Sequence, residues 1–430
     1  MLIKPAKRLL GTVKVPGDKS ISHRAAMIAA MASGESKIEN FSTGADCTST
    51  IHCLRQLGVE IEHSGTSVQV IGVGKTGFKQ PDAPLDCGNS GTTMRLLAGI
   101  LAGQNFESVL TGDFSLRKRP MKRIIEPLRR MGAEIEAETG CAPLRILGRN
   151  PLESISYRLP VASAQVKSCV LLAGLNSTGE AAVIEPVQTR DHTERMLRGF
   201  GGEIVVAESE EGRRISVSGE STLSGRKIDV PSDISGAVFF MVAAACLDDS
   251  TIELPSIGIN PTRSEILNVL GDLGVEIEIS HQHESCGEPA GRLKVKGWRA
   301  PQNSLRITGD RIAGLIDEIP ILSVLGTQVV GGIEIRDAAE LRTKESDRIA
   351  AIVENLRRMG ADVEEFEDGL RAGRSKLNGA EIDSFGDHRI AMAFSVAALL
   401  ANGDTIIRDA ECADISFPDF YETLESVVQR

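Results

Sequence analysis

Six turns in this chain carry residues of the kinds that hold anions and move protons: Lys19, Ser20 and Arg24; Asn89, Ser90, Gly91 and Thr92; Ser163 and Gln165; Asp233; Asp317; and Asp387, His388 and Arg389. Each turn opens onto a run of small apolar residues that reads as a helix. The polar groups would then stand where free backbone N–H groups and the positive end of a helix dipole gather, which is an anion trap. The polar residues differ from turn to turn, which favours one asymmetric ligand over six independent helix caps. Two further stretches are dense in charge: LTGDFSLRKRPMKR, with Arg117, Lys118, Arg119, Lys122 and Arg123, and LRTKESDR, with Arg342, Lys344, Glu345 and Arg348. In the second, Lys344 and Arg348 are four apart, which predicts one helical face holding an anion beside the acid Glu345.

Other arrangements are decoys. Gly74-Lys75-Thr76 resembles the end of a phosphate-binding loop, but Gln69 stands where the first glycine is needed and no helix pattern follows, so a hairpin turn is expected. No GxSxG elbow is present, and His23 and His192 read as structural partners among basic residues. The eight cysteines are scattered with no CxxC, which predicts reduced thiols rather than a disulfide frame or a zinc site. His281, His283 and Cys286 come nearest to a metal cluster, but they lie between the strand-like runs EIEIS and RLKVKGW and read as a hairpin tip.

The elements that must position these residues repeat. A phrase of Leu, two variable residues, a hydrophobic residue, Gly and an acid-aliphatic pair recurs at Leu54–Ile61, Leu128–Ile135, Leu197–Ile204, Leu270–Ile277 and Leu356–Val363. It predicts an amphipathic helix ended by a left-handed glycine and followed at once by a strand. Upstream of each copy lies one of the turns followed by a small-residue helix, beginning at Pro16, Cys87, Pro160, Pro231, Asp317 and Asp387; the last turn stands alone. These starts are 71, 73, 71, 86 and 70 residues apart, so the chain is six units of one pattern, the long interval holding an insertion in the HQHESCGEPAG hairpin. Because VPSDIS at Pro231 echoes VPGDKS at Pro16, the units group as three and three. Helices such as AAMIAAMA and VFFMVAAAC are apolar on nearly every face, which predicts helices inside and sheets outside in each of two α/β domains. A solenoid fits less well, because the period is long and polar caps are missing.

Composition bounds the function. The chain has 430 residues, 41% of them hydrophobic and 25% charged, as expected of a globular enzyme with two cores. Its 48 Lys and Arg against 59 Asp and Glu leave a net charge of −11, which argues against broad nucleic-acid or membrane binding. The longest apolar windows, Gly236–Leu247 and Ala391–Ala401, are too short to cross a bilayer, and the opening residues lack the apolar core of a secretory signal. A cytoplasmic protein is the expectation.

In order and spacing, DKSISHR, GNSGTTMR, TGDFSLRKRP, ASAQVKS, TRDHTERM, IDEIP, RTKESDR, FGDHRIAM and SFPDF resemble the motif set of the 3-phosphoshikimate 1-carboxyvinyltransferase (EPSP synthase) family over nearly the whole chain. The resemblance implies two inside-out α/β domains, each of three repeated βαβαββ-like units. It divides the chain into residues 18–230 and, with the N-terminal strand returned to the second half, residues 1–17 plus 231–430. It implies transfer of the enolpyruvyl group of phosphoenolpyruvate to the 5-hydroxyl of shikimate 3-phosphate with release of phosphate, a step toward chorismate and the aromatic amino acids, with no metal or organic cofactor and a monomeric enzyme. By the family pattern Asp317 is the base, Glu345 the proton donor to the methylene carbon, and Lys19 bridges both substrates. Lys19, Ser20, Arg24, Ser163, Ala164, Gln165, Arg190, Asp317 and Lys344 would meet shikimate 3-phosphate; Lys19, Gly91, Arg119, Gln165, Arg348 and Arg389 would meet phosphoenolpyruvate.

One departure stands out: many members have Lys-Thr-Phe-Pro-Asp near the C-terminus, whereas this chain reads Ile415-Ser416-Phe417-Pro418-Asp419. The sister transferase that acts on UDP-N-acetylglucosamine is the alternative enzyme, but it usually carries a cysteine in the loop that here reads TGDFSLRKRP. A pseudo-symmetric clamp on DNA is the alternative outside catalysis. It would need basic residues in every unit, and the fourth turn offers only Asp233.

Overall fold

The computed structural model describes residues 1–297 and 304–430. They form two compact units, one of residues 17–230 with 284–288, the other of residues 1–16, 231–283 and 289–430. Each has its own apolar core. The tip Glu284–Glu288, which sequence alone assigns with its flanking strands, belongs with the first unit. There the His192 imidazole Nδ1 meets Glu288 Oε1 at 2.8 Å, and Arg195 donates to the Gly287 carbonyl.

The first unit runs through helices α1 (Lys19–Met31), α2 (Ala45–Gln56), α3 (Gly91–Ala102), α4 (Lys122–Arg130), α5 (Ala164–Gly174) and α6 (His192–Gly199). The odd-numbered three are rich in small apolar residues and are buried on almost every side, with α3 packed on both α1 and α5. The even-numbered three bury one face only. Three four-stranded sheets cover them, and their strand orders share one topology: a parallel edge strand followed by three antiparallel neighbours.

The second unit continues with α7 (Ile234–Cys246), α8 (Glu265–Asp272), α9 (Arg311–Leu315), α10 (Ile319–Gly326), α11 (Arg348–Arg358), α12 (His388–Leu400) and α13 (Phe420–Val427). Here α7, α10 and α12 form the buried trio. One sheet, led by Leu305–Ile307, repeats the first unit's topology. In the other two, the start of the chain supplies what the last repeat lacks. Leu2–Ile3 pairs antiparallel with Thr405–Arg408, and Arg8–Thr12 pairs parallel with Thr251–Gly258 and antiparallel with Val428–Gln429. Conversely, Lys227–Asp229, which leads into α7, is the parallel edge of a first-unit sheet, beside Ser33–Glu39.

The five helix-ending phrases fold as their residues require. Gly58, Gly132, Gly201, Gly274 and Gly360 have φ between +78° and +96°, a region that a Cβ makes strained, and each is followed within three residues by a strand. The insertion in the long interval is partly extra hairpin, since Ile277–Ser285 and Glu288–Lys296 are nine residues each and turn at Cys286 and Gly287. The end of the expected RLKVKGW strand, Trp298, lies outside the described residues. Gly74–Thr76 is a turn but does not join hairpin strands: the Ser67–Val73 strand pairs on the other side with Glu60–Ser64, and a proline-bearing loop follows. Lys75 there donates to the carbonyls of Leu175 and Gly219, tying that loop to the end of α5.

Candidate functional site

In the first unit most candidate residues sit at the N-terminal ends of the inner helices, while Arg119 and Arg190 precede the outer helices α4 and α6. Asp18 caps α1 through Ile21 N–H, Ser90 caps α3 through Thr93 N–H, and Ser163 caps α5 through Val166 N–H. Capping therefore accounts for part of the polarity of these turns. Ser163 accepts that bond and retains a hydroxyl proton to donate.

Lys19 forms an ion pair with Asp46 at 3.1 Å, and the Asp46 carbonyl in turn accepts from Thr93. Behind them His23 Nδ1 meets Thr50 Oγ1 at 2.6 Å, and Thr50 meets Thr93 Oγ1 at 2.7 Å, so one buried chain of hydroxyls joins α1, α2 and α3. Burial, reinforced by the charges of Lys19 and Arg24, holds the His23 pKa well below its ordinary value and the ring neutral.

Arg24 is only 3% exposed. It donates to Thr193 Oγ1, Ser168 Oγ and the Ser20 carbonyl at 2.8–2.9 Å. Burial, joined by the neighbouring Arg190 charge, lowers its pKa to about 10 against the pull of Glu194. Two cations within electrostatic reach of one another favour a dianion such as a phosphate ester. The turn carrying Arg190 is fixed from below by Lys167, whose ammonium is fully buried against Glu185 at 3.0 Å and Glu194 at 2.7 Å; Glu185 also accepts from the Thr189 backbone and hydroxyl.

A second group gathers Gly91, Arg119 and Gln165. Arg119 donates to Asn89 Oδ1 at 2.7 Å, and Gln165 bridges Arg95 and Thr92 at 2.7 and 3.0 Å. A Cβ on Gly91 would lie 2.7 Å from the Arg95 guanidinium and 3.5 Å from that of Arg119, so the glycine leaves room for the guanidinium groups themselves. Ala164 is the first residue of α5, and its carbonyl accepts from Ser168.

In the second unit Asp317 faces three guanidinium groups: Arg389 at 3.5 Å, Arg348 at 3.6 Å and Arg263 at 3.8 Å. Arg389 also donates to the Asp317 carbonyl at 3.1 Å. Arg348 is 1% exposed and grips Asp387 through Nε at 2.8 Å and Glu345 through Nη2 at 2.6 Å. Burial works against its charge, but Asp387, Glu345 and Asp317 outweigh burial and raise its pKa. Asp387 also caps α12 through Arg389 N–H, so one carboxylate aligns both arginines.

Lys344 stands apart from the helical face expected for it. Asp347 caps Ala350 N–H, so α11 begins only at Arg348, and the short helix Ala339–Thr343 has already ended. Lys344 lies in the break and pairs with Glu340 at 2.9 Å. Glu345 still reaches Arg348 across the helix start.

The sequence reading passed over Asp46, Arg95, Thr193 and Arg263. For Arg263 a signal existed: it stands two residues before α8, the place Arg190 holds before α6 in the preceding repeat. Among the described residues no group of three or more His, Cys, Asp or Glu side chains is arranged to hold a metal ion. None of their helices is long and apolar enough to cross a membrane.

Sheets outside, buried helices inside and polar turns at the helix starts define an α/β protein of the two-domain inside-out kind. An enolpyruvyl transferase of Streptomyces tendae shares this fold, with a TM-score of 0.80 at 18% identity over 99% of this chain and 96% of its own. The chain belongs to the EPSP synthase (3-phosphoshikimate 1-carboxyvinyltransferase) family, whose profile it matches over residues 3–424. It is 50% identical to the 3-phosphoshikimate 1-carboxyvinyltransferase of Solibacter usitatus over 99% of both chains, and 50% identical to that of Koribacter versatilis over 100% of this chain and 99% of the relative. The EPSP synthase structure of Acinetobacter baumannii superposes with a TM-score of 0.88 at 43% identity, covering 99% of this chain and 98% of that one.

Proposed function

We propose that this enzyme transfers the enolpyruvyl group of phosphoenolpyruvate to the 5-hydroxyl of shikimate 3-phosphate, giving 5-enolpyruvylshikimate 3-phosphate and inorganic phosphate. The observation that carries this reading is the Asp317 carboxylate among Arg263, Arg348 and Arg389, with Glu345 on Arg348. It combines a base, an acid and cations for phosphate, the groups that addition and elimination at an enol phosphate require.

Asp317 removes the hydroxyl proton as oxygen bonds to C2, and Glu345 delivers a proton to C3. The tetrahedral adduct then loses that proton and phosphate. Arg348 and Arg389 hold phosphoenolpyruvate together with Lys19, Gly91, Arg119 and Gln165. Shikimate 3-phosphate meets Lys19, Ser20, Arg24, Ser163, Ala164, Gln165, Arg190 and Lys344 as well as Asp317. The pairing of Lys344 with Glu340 means that it must exchange one anion for another when substrate arrives.

The working form is a single chain, since every proposed acid, base and clamp comes from it. Eight cysteines present as thiols support a reducing, cytoplasmic setting, and the net charge of −11 disfavours nucleic acid as a partner. Phosphate release from phosphoenolpyruvate tests the reading. It is expected with shikimate 3-phosphate and not with UDP-N-acetylglucosamine; the reverse preference would assign the enzyme to the sister reaction.

A further inference from the structure

Arg263 is not among the residues that the family pattern assigns to either substrate, yet it is 3% exposed and lies at the carboxylate proposed as the base. We propose that Arg263 is a positioning residue that holds the Asp317 side chain in place for proton removal. The inference rests on the reading of Asp317 as the base.

Three anchors fix Arg263 independently of Asp317. Its Nη1 lies 3.2 Å from Glu318 Oε1, its Nη2 donates to Ser235 Oγ, and Asp233 Oδ1 is 3.6 Å away. Ser235 in turn donates to Glu318, which is fully buried, so the guanidinium sits in a preformed frame of α7 and the residue before α10. At 3.8 Å from Asp317 Oδ2 it acts on the carboxylate by charge, without occupying by hydrogen bond the lone pair that a hydroxyl proton needs.

The other two cations at Asp317 are differently placed. Arg348 and Arg389 are the proposed clamps for phosphoenolpyruvate, and an arriving anion competes with Asp317 for both. A base that loses its counter-charges to the substrate also loses the contacts that orient it. Arg263, held by Glu318, Ser235 and Asp233, is the cation that stays. The repeat supports this division. The equivalent slot in the preceding repeat holds Arg190, whose charge acts on Arg24, and Arg263 in its own slot lies among the carboxylates of Asp233, Asp317 and Glu318.

The test is steady-state phosphate release by Arg263→Met, Arg263→Lys, Glu318→Gln and the double variant Arg263→Met/Glu318→Gln. The double variant is included because Arg263→Met alone leaves Glu318 buried without its cation and can fail to fold. In the folded Met variants kcat should fall about 10- to 100-fold while KM for each substrate stays within about threefold, the pattern of a misaligned group rather than a lost binding contact. Arg263→Lys should recover part of kcat, and Glu318→Gln, which removes the charge of one anchor but keeps the guanidinium, should lower kcat less than the Met variants do. A folded double variant with parental kcat, or a loss confined to KM, would overturn the proposal. If neither Met variant folds, Arg263→Lys decides by the same split of kcat against KM. Asp317→Asn is measured alongside: if it is active, the base assignment fails and this proposal with it, whereas an inactive Asp317→Asn beside an unimpaired Arg263 variant overturns the role of Arg263 alone.

Discussion

Glu345 and Asp317 are both tied to Arg348, at 2.6 and 3.6 Å, so the proposed acid and base share one buried cation. Replacing either by its amide preserves shape and removes proton transfer. Asp317→Asn and Glu345→Gln should each lower kcat by about two to four orders of magnitude with the fold intact by circular dichroism. Turnover within about tenfold of the parent would reject the assigned role. The two anion pockets of the first unit should separate by substrate. Arg24→Ala should weaken shikimate 3-phosphate and Arg119→Ala phosphoenolpyruvate, each by about 1.5–3 kcal/mol, as charge-assisted contacts to phosphate are worth. Calorimetric titration of shikimate 3-phosphate into both variants decides this, with equal losses in the two counting against it.

The residue types at these pockets were legible because polar and charged residues gather in turns that open onto apolar helices, and because their motifs match a family pattern. Their partners were not: Arg95 meets Gln165 from 70 residues away and Arg24 meets Thr193 from 169, distances over which sequence carries no contact signal.

Among elements, the polar chain of His23, Thr50 and Thr93 couples helices α1, α2 and α3, and its histidine leaves a signature in stability. His23 is held neutral in the folded protein, whereas in the unfolded chain it titrates near 6.5. Below that pH the unfolded state takes up a proton that the folded state refuses, so stability is lost as pH falls and regained as it rises. The loss sets in as pH falls through the range in which the unfolded histidine charges. Urea unfolding of His23→Gln should show a smaller loss of stability than the parent between about pH 7.5 and 5.5; parallel curves would show that His23 charges in the native state.

Helix ends divide into those that sequence announces and those that it does not. Gly58, Gly132, Gly201, Gly274 and Gly360 announce theirs, since the left-handed turn is a property of the glycine itself. The start of α11 depends on which of several polar residues captures a backbone N–H. Asp347 does so, and the four-residue spacing of Lys344 and Arg348 therefore implied a helical face that does not form.

Across the whole molecule, the sixfold repeat was visible as a period, but the exchange of edge strands was not, because local pattern does not say which sheet a strand will join. The first unit closes its three sheets with strands from residues 33–229, whereas the second requires Leu2–Ile3 and Arg8–Thr12. A fragment of residues 231–430 should therefore fail to fold cooperatively. The same fragment carrying residues 1–16 through a flexible linker after Arg430 should recover a single unfolding transition. Residues 17–230 alone should fold, although they lack Glu288 opposite His192. Denaturant titrations of the three fragments check this, and cooperative unfolding of bare 231–430 would refute it.

The exchange also fixes an order of events during synthesis. Arg8–Thr12 leaves the ribosome well before its parallel partner, which begins at Thr251, and Leu2–Ile3 before Thr405–Arg408, with which it pairs. At about 5–20 residues per second these strands wait tens of seconds for their partners, while the first unit can close behind them. Throughout that wait Leu9 and its neighbours form an unprotected strand edge, the kind of surface that chaperones recognise and that pairs wrongly with other nascent chains. Yield on expression should accordingly depend on elongation rate and chaperone supply more than the stability of the finished enzyme would suggest.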